Sequence, residues 1–155
     1  MQVLLEQQNV IQSEQIPNIN SMRQWVTAAL EKVNSALTEP ELTIRVVSAE
    51  ESQQLNLEYR EKDKPTNVLT FSFEAPDMVP QEALGEYLGD LVICESVVIQ
   101  EATDQNKPLE SHWAHMVIHG TFHLLGYDHI EDDEAEKMEA LEISVLQNLG
   151  FNSPY

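Results

Sequence analysis

The chain has 155 residues, 42% of them hydrophobic, which is the length and composition of a single folded domain with a sizeable core. A net charge of −19 argues against a broad basic surface for nucleic acid, and a single cysteine, Cys94, excludes an internal disulfide framework. The N-terminal sequence has no signal-peptide pattern and no stretch of about 18 apolar residues occurs, so we expect a cytoplasmic domain spanning residues 1–155.

Apolar spacing and helix-capping residues predict a mixture of strands and helices. In chain order, the pattern predicts a strand at 2–10, a helix from Asn20 or Ser21 to Leu37, a strand at 41–48, a helix capped by Ser48 and ending at Tyr59, a strand at 67–73, a loop at 74–86, a strand at 87–94, and helices at 96–105, 108–125 and 133–149. Gly126 and Gly150 are expected to end the last two helices, because glycine accepts a left-handed backbone. The irregular order predicts an α+β fold with one mixed sheet.

All five histidines fall between residues 112 and 129, and three of them, His119, His123 and His129, belong to the stretch HGTFHLLGYDH at 119–129. His119 and His123 are four residues apart, so both rings leave one face of a helix. Gly126 lets the chain turn, and His129 follows three residues later. Three neutral imidazoles plus a water would make an open tetrahedral zinc site of the catalytic kind.

The spacing matches the HExxHxxGxxH motif of zinc proteases with one change. The glutamate that would act as general base is replaced by Gly120. A dication held by neutral ligands favours an anionic substrate, and a phosphodiester is such a substrate. Arg60 lies in the basic segment with Lys62 and Lys64, and it is our candidate for contacting phosphate oxygens. The alternative is that Arg60 forms an ordinary ion pair on the surface.

Three other residues near the motif have less specific signals. His112 and His115 are expected to be packed or exposed rings, although His115 lies one turn before His119 and could support it. Asp128 could orient a ligand imidazole by accepting its second N–H, or it could simply belong to the turn.

The motif HGTFHLLGYDH resembles the HGxLHLxGYDH signature of the YbeY family of bacterial metal-dependent endoribonucleases. Three further blocks occur in the order found in that family. They are LNLEYREKDKPTNVLTFSF at 55–73, LGDLVIC at 88–94 and MEALEISVL at 138–146.

The resemblance implies a compact α+β domain with a zincin-like metal helix. It implies one zinc ion bound by His119, His123 and His129, with Arg60 as the functional arginine. It also implies cleavage of single-stranded ribosomal RNA, including processing at the 3′ end of 16S rRNA and ribosome quality control, in contact with the small ribosomal subunit or its proteins and not with membranes or DNA.

Three positions depart from the family pattern. Asn67 stands where aspartate is usual, Thr70 where serine is usual, and Phe122 where leucine is frequent. The Phe122 change is expected to lie in the core. The Asn67 change removes a negative charge near the expected path of the phosphates, which leaves open whether this position serves catalysis or the turn.

Two other functions are consistent with the same residues. A metalloprotease or other metal hydrolase would need a carboxylate from elsewhere, such as Glu131. A ribosome-associated binding module with structural zinc would need a fourth protein ligand, such as His115 or Asp128. Because the chain is strongly acidic, we expect weak intrinsic affinity for RNA and targeting by a partner.

Overall fold

The computed structural model describes residues 1–33, 36–73, 85–128 and 130–155. Within these ranges the chain forms four strands and five helices around one sheet, which confirms the predicted α+β class. The elements are β1 (Leu4–Asn9), α1 (Ile19–Lys32), β2 (Glu41–Val47), α2 (Ala49–Arg60), β3 (Val68–Ser72), β4 (Tyr87–Cys94), α3 (Glu95–Asp104), α4 (Leu109–Leu124) and α5 (Asp132–Asn148).

The sheet is mixed, with the strand order β1-β2-β4-β3. β1, β2 and β4 run parallel, and Ile44 of β2 lies beside Leu91 of β4. β3 pairs antiparallel with β4 and forms one edge of the sheet. Because successive side chains of a strand point to opposite faces, the sheet contributes to two separate apolar clusters.

The larger cluster joins one face of the sheet to α1, α4 and α5. Its strand residues include Leu42, Ile44, Leu91 and Ile93, all at most 1% exposed. The smaller cluster lies on the other face, where strand residues pack with residues of α2 and α3. Its buried members are Val47, Leu69, Val92 and Cys94.

Helix α4 is the central helix of the larger cluster, since eleven of its sixteen residues are buried. Phe122 is fully buried, which confirms its predicted place in the core. Gly120 faces β4 so closely that an added Cβ atom would lie 2.8 Å from Cδ2 of Leu91. The position where zinc proteases have glutamate therefore points into the core here.

Most predicted element boundaries agree with the structure to within one or two residues, but those of α1 were wrong. Its cap is Asn18, whose side chain accepts the Ser21 N–H at 2.8 Å, and the helix ends at Lys32 instead of Leu37. The prediction had placed the start of the helix at Asn20 or Ser21, closer to its apolar residues than the observed cap.

The other predicted helix signals have a structural counterpart. Ser48 Oγ accepts the Glu51 N–H at 3.2 Å, as its predicted role as the cap of α2 requires. The Glu51 carboxylate accepts hydrogen bonds from Arg45. Gly126 and Gly150 have φ of +99° and +94°, as their stop function requires. Of the predicted loop at 74–86, residues 74–84 lie outside the described ranges. None of the helices in the described ranges has the length and apolar character needed to cross a bilayer.

Candidate metal centre and basic cleft

His119 and His123 lie one turn apart near the C-terminal end of α4, and their rings meet. The two Nε2 atoms are 3.1 Å apart. Two nitrogens at about 2.0–2.1 Å from one tetrahedral ion would be roughly 3.3–3.4 Å from each other. The observed spacing therefore fits a pair of imidazoles that share a cation.

The second ring nitrogen of His119 contacts a buried carboxylate. Nδ1 lies 3.0 Å from Oε2 of Glu142, a residue of α5 that is 1% exposed. An ionised carboxylate can only accept hydrogen bonds, so His119 donates from Nδ1. Its Nε2 atom then carries the lone pair that a metal ion needs.

Glu142 accepts two further hydrogen bonds at its other oxygen. His115 Nε2 lies 2.5 Å from Oε1, and the Tyr155 hydroxyl donates to the same atom at 2.9 Å. Burial by itself raises the pKa of Glu142, but the hydrogen bonds from His115 and His119 outweigh burial and lower this pKa to about 2. Glu142 is therefore a charged carboxylate inside the core, and its burial is compensated by three donors.

A second arrangement of potential ligands shares His119. His115, His119 and Glu142 lie close enough together that they could hold a metal ion. In the structure these three residues are joined by direct hydrogen bonds of 2.5 and 3.0 Å, and Glu142 and His115 are buried. The His119–His123 pair, in contrast, lines an open cleft.

The cleft has a volume of about 630 Å³ and combines the histidine pair with a cluster of cations. Three of the eight Lys and Arg residues of the chain line it. They are Arg60, Lys62 and Lys64, and all three are exposed. The cleft is therefore a local cationic site on an otherwise acidic protein, which suits a phosphate-bearing ligand.

Two buried polar residues of α2 hold the basic segment in place. Asn56 donates from Nδ2 to the Lys64 carbonyl at 2.8 Å. Ser52 Oγ donates to the Thr66 carbonyl and accepts the Thr66 N–H, both at 3.0 Å. These contacts explain the polar residues on the inner side of α2, and they fix the lysines at the cleft.

Arg60 is oriented by the edge strand β3. Its Nη2 atom donates to the Thr70 carbonyl at 2.9 Å, and its guanidinium carbon lies 5.8 Å from the centre of the Phe71 ring. Its Nη1 atom also donates to the Tyr59 carbonyl at 3.3 Å. The two carbonyls use two of the five guanidinium N–H groups, which leaves the others for an oxyanion. Thr70, one of the departures from the family pattern, contributes its backbone carbonyl to this arrangement.

The structure thus brings Arg60, His119 and His123 to one cleft, whereas His129 lies outside the described residues. Asp128 also lines the cleft. Glu131, considered above as a substitute base, is the exposed cap of α5 and is not among the described cleft residues. His115 is a packed ring, buried against Glu142.

Sequence reasoning missed Glu142 and Tyr155. A signal for Glu142 was present, because it lies four residues after Met138 and three before Val145, on the buried stripe of α5. A carboxylate on an apolar stripe indicates a buried partner. Tyr155 follows α5 without a periodic pattern, so no comparable signal existed.

Asn67 is the departure from the family pattern whose role, in catalysis or in the turn, the sequence left open. Its side chain pairs with a glutamate. Its Nδ2 atom lies 3.1 and 3.2 Å from the two carboxylate oxygens of Glu101, and its Oδ1 atom accepts the Val68 N–H at 2.6 Å. Glu101 also contacts His112 Nε2 at 2.9 Å. Burial lowers the pKa of His112, although Glu101 opposes this effect.

Comparisons with known proteins identify a family and a similar fold. A family model described as "Endoribonuclease YbeY" matches residues 5–150. The solution structure of TM1509 from Thermotoga maritima is similar to this chain, with a TM-score of 0.57 and 24% sequence identity. The similarity covers 95% of this chain and 92% of that one, and it concerns the fold.

Proposed function

The chain belongs to the YbeY endoribonuclease family, and from this premise we propose that it is a zinc-dependent endoribonuclease that cuts single-stranded ribosomal RNA. The proposal includes processing at the 3′ end of 16S rRNA, a part in ribosome quality control and a cytoplasmic location. The proposed site residues are Arg60 and the zinc ligands His119, His123 and His129.

One observation carries the proposal, namely that two facing imidazoles and three cationic side chains share one cleft. A zinc ion bound there would polarise a phosphoryl oxygen and make water more acidic. The guanidinium of Arg60 would bind oxygens of the scissile phosphate and stabilise the charge that develops on them. Lys62 and Lys64 would contact neighbouring phosphates of the same strand.

The acidic body of the protein limits how RNA can reach this cleft. Repulsion from 27 acidic residues opposes binding at long range, although salt at about 0.15 M screens charges beyond roughly 8 Å. Three cleft cations supply few phosphate contacts. We therefore propose that the small ribosomal subunit or one of its proteins delivers the substrate.

The metalloprotease alternative loses support from the packing of α4. A glutamate at position 120 would have to occupy the space of Leu91, because even a Cβ atom there lies 2.8 Å from that side chain. The helix cannot present a general base to the cleft from this position. A phosphodiester, which carries its own negative charge, suits the cleft better than a peptide.

The test is cleavage of an end-labelled single-stranded fragment from the 3′ region of 16S rRNA. Zinc-loaded protein is expected to cut it, whereas His123→Ala and Arg60→Ala are expected to lose at least about 100-fold in rate, the usual effect of removing one charge-stabilising group. Arg23→Ala, which changes an arginine of α1 that does not line the cleft, is the matched control. Undiminished cleavage by chelator-treated protein, or by both cleft variants, would contradict the proposal.

A further inference from the structure

We infer that Glu142 is a positioning residue for the metal ion, which it never touches. Glu142 accepts a hydrogen bond from Nδ1–H of His119. This contact keeps the lone pair of that imidazole on Nε2, which faces the cleft. The inference rests on the proposed zinc site, and it adds a residue of α5 to the proposed ligands and to the cleft residues from α2 to β3.

The first support is the arrangement of donors around the carboxylate. His119 Nδ1 lies at Oε2, while His115 Nε2 and the Tyr155 hydroxyl both lie at Oε1. Within the described residues, His115 Nδ1 is buried with no hydrogen-bond partner, so the proton of a neutral His115 lies on Nε2. Three donors therefore converge on two oxygens that can only accept.

The second support is the rigidity of Glu142. It is 1% exposed, and its neighbours Met138, Val145 and Leu146 on α5 are at most 2% exposed. Close packing around a side chain this buried restricts its rotamer. The packing of α5 on α4 thus fixes the orientation of the His119 ring.

Replacing the Glu142 carboxylate by an amide of the same shape would move the ring proton of His119 from Nδ1 to Nε2. Glutamine offers one accepting oxygen and one donating NH₂ group. The oxygen is needed on the side of His115 and Tyr155, where two donors converge, so the NH₂ group would face His119 Nδ1. The ring would then accept at Nδ1 and carry its proton on Nε2, where the lone pair for zinc is required.

The decisive measurement is zinc affinity by competition with a chromophoric chelator. Glu142→Gln is expected to bind zinc about 10- to 100-fold more weakly than the unchanged protein, the usual cost of losing the partner of a ligand histidine. Glu136→Gln, an exposed carboxylate on the same helix, is the matched control and should bind zinc normally. Equal affinity of Glu142→Gln and the unchanged protein would overturn the inference.

A second measurement reports the tautomer of His119 directly, and the unchanged protein alone is enough to test the inference. Long-range ¹H–¹⁵N NMR of the zinc-free, unchanged protein, with its imidazoles neutral, should show the His119 proton on Nδ1. In Glu142→Gln the same proton should appear on Nε2. A proton on Nε2 in the unchanged protein would overturn the inference.

The His123→Ala variant separates this inference from the proposed function. If the unchanged protein binds no zinc, the proposed function fails, and the NMR measurement still decides whether Glu142 sets the His119 tautomer. If His123→Ala keeps its zinc while Glu142→Gln loses it, Glu142 is itself a ligand together with His115 and His119. That result would overturn the positioning role.

Discussion

Two glutamates, one from α5 and one from α3, each contact a histidine of α4, and their surroundings differ. The side chain of Glu142 is 1% exposed and accepts from His115, His119 and the Tyr155 hydroxyl. The side chain of Glu101 is 31% exposed and contacts His112 and the amide of Asn67. The same pairing of side chains therefore occurs once inside the core and once at its edge.

The difference shows how burial decides what such a pair does. A carboxylate in the core cannot be left without donors, so Glu142 determines the proton positions of its neighbours. A carboxylate that reaches water can exchange a lost partner for solvent, so Glu101 is expected to tolerate change. Three predictions test this contrast, from the largest expected effect to the smallest.

The largest effect is expected from removing each carboxylate in turn. Glu142→Ala removes the acceptor shared by three donors, of which His115 is buried, and we expect a loss of about 3 kcal/mol in the free energy of unfolding. Glu101→Ala should cost about 1 kcal/mol, because water can replace the exposed carboxylate. Urea unfolding of the chelator-treated proteins measures both values. Equal losses would show that burial is not the deciding difference.

An intermediate effect is expected from Asn67→Asp. In Asn67→Asp, one oxygen of the new carboxylate would still accept the Val68 N–H. The second oxygen would take the place of Nδ2, about 3 Å from the Glu101 carboxylate. Two carboxylates at this distance repel each other, and we expect a loss of about 1–2 kcal/mol. Glu101→Gln should remove most of this cost when combined with Asn67→Asp.

The corresponding measurement is a double-mutant cycle by urea unfolding, with zinc affinity determined for each protein. A coupling energy near zero would show that Asn67 and Glu101 do not form a pair in solution. Unchanged zinc affinity in Asn67→Asp would assign this position to the fold of the cleft wall. A large loss of affinity with unchanged stability would assign it to the metal site.

The sequence predicted the fold class and the cleft residues for different physical reasons. Helix and strand positions follow from apolar periodicity, which reports directly on burial. His119 and His123 could be paired because their spacing alone places them on one face of a helix. Arg60 was found by charge and resemblance, and the structure adds the Thr70 carbonyl that orients it.

What the sequence did not predict depends on contacts between distant elements. Glu142 reaches His119 across 23 positions, and Asn67 reaches Glu101 across 34. No local pattern encodes which helices pack together, so the partners of a polar residue stay unknown until the fold is known. The wrong end of α1 has a local cause, since apolar Val33 and Leu37 continue the helical spacing beyond Lys32.

The smallest effect separates the two glutamate–histidine contacts by pH. Burial lowers the pKa of His112 from 6.5, with His115 and Lys107 acting in the same direction and Glu101 opposing them. The unfolded chain then binds a proton at a higher pH than the folded one. This contribution to stability is present above about pH 6.5 and is lost as the pH falls through the lowered pKa of His112.

The Glu142 contribution falls in a different window. Its pKa is 4.5 in the unfolded chain and about 2 in the folded one, so its contribution is complete above pH 4.5 and is lost only as the pH falls toward 2. Between pH 5 and pH 7, His112→Gln should therefore flatten the decline of stability relative to the unchanged protein, whereas the Glu142 contribution stays constant. Urea unfolding at several pH values measures both slopes. If stability changes equally with pH in the unchanged protein and in His112→Gln, the pKa of His112 is not lowered by burial, and the prediction is wrong.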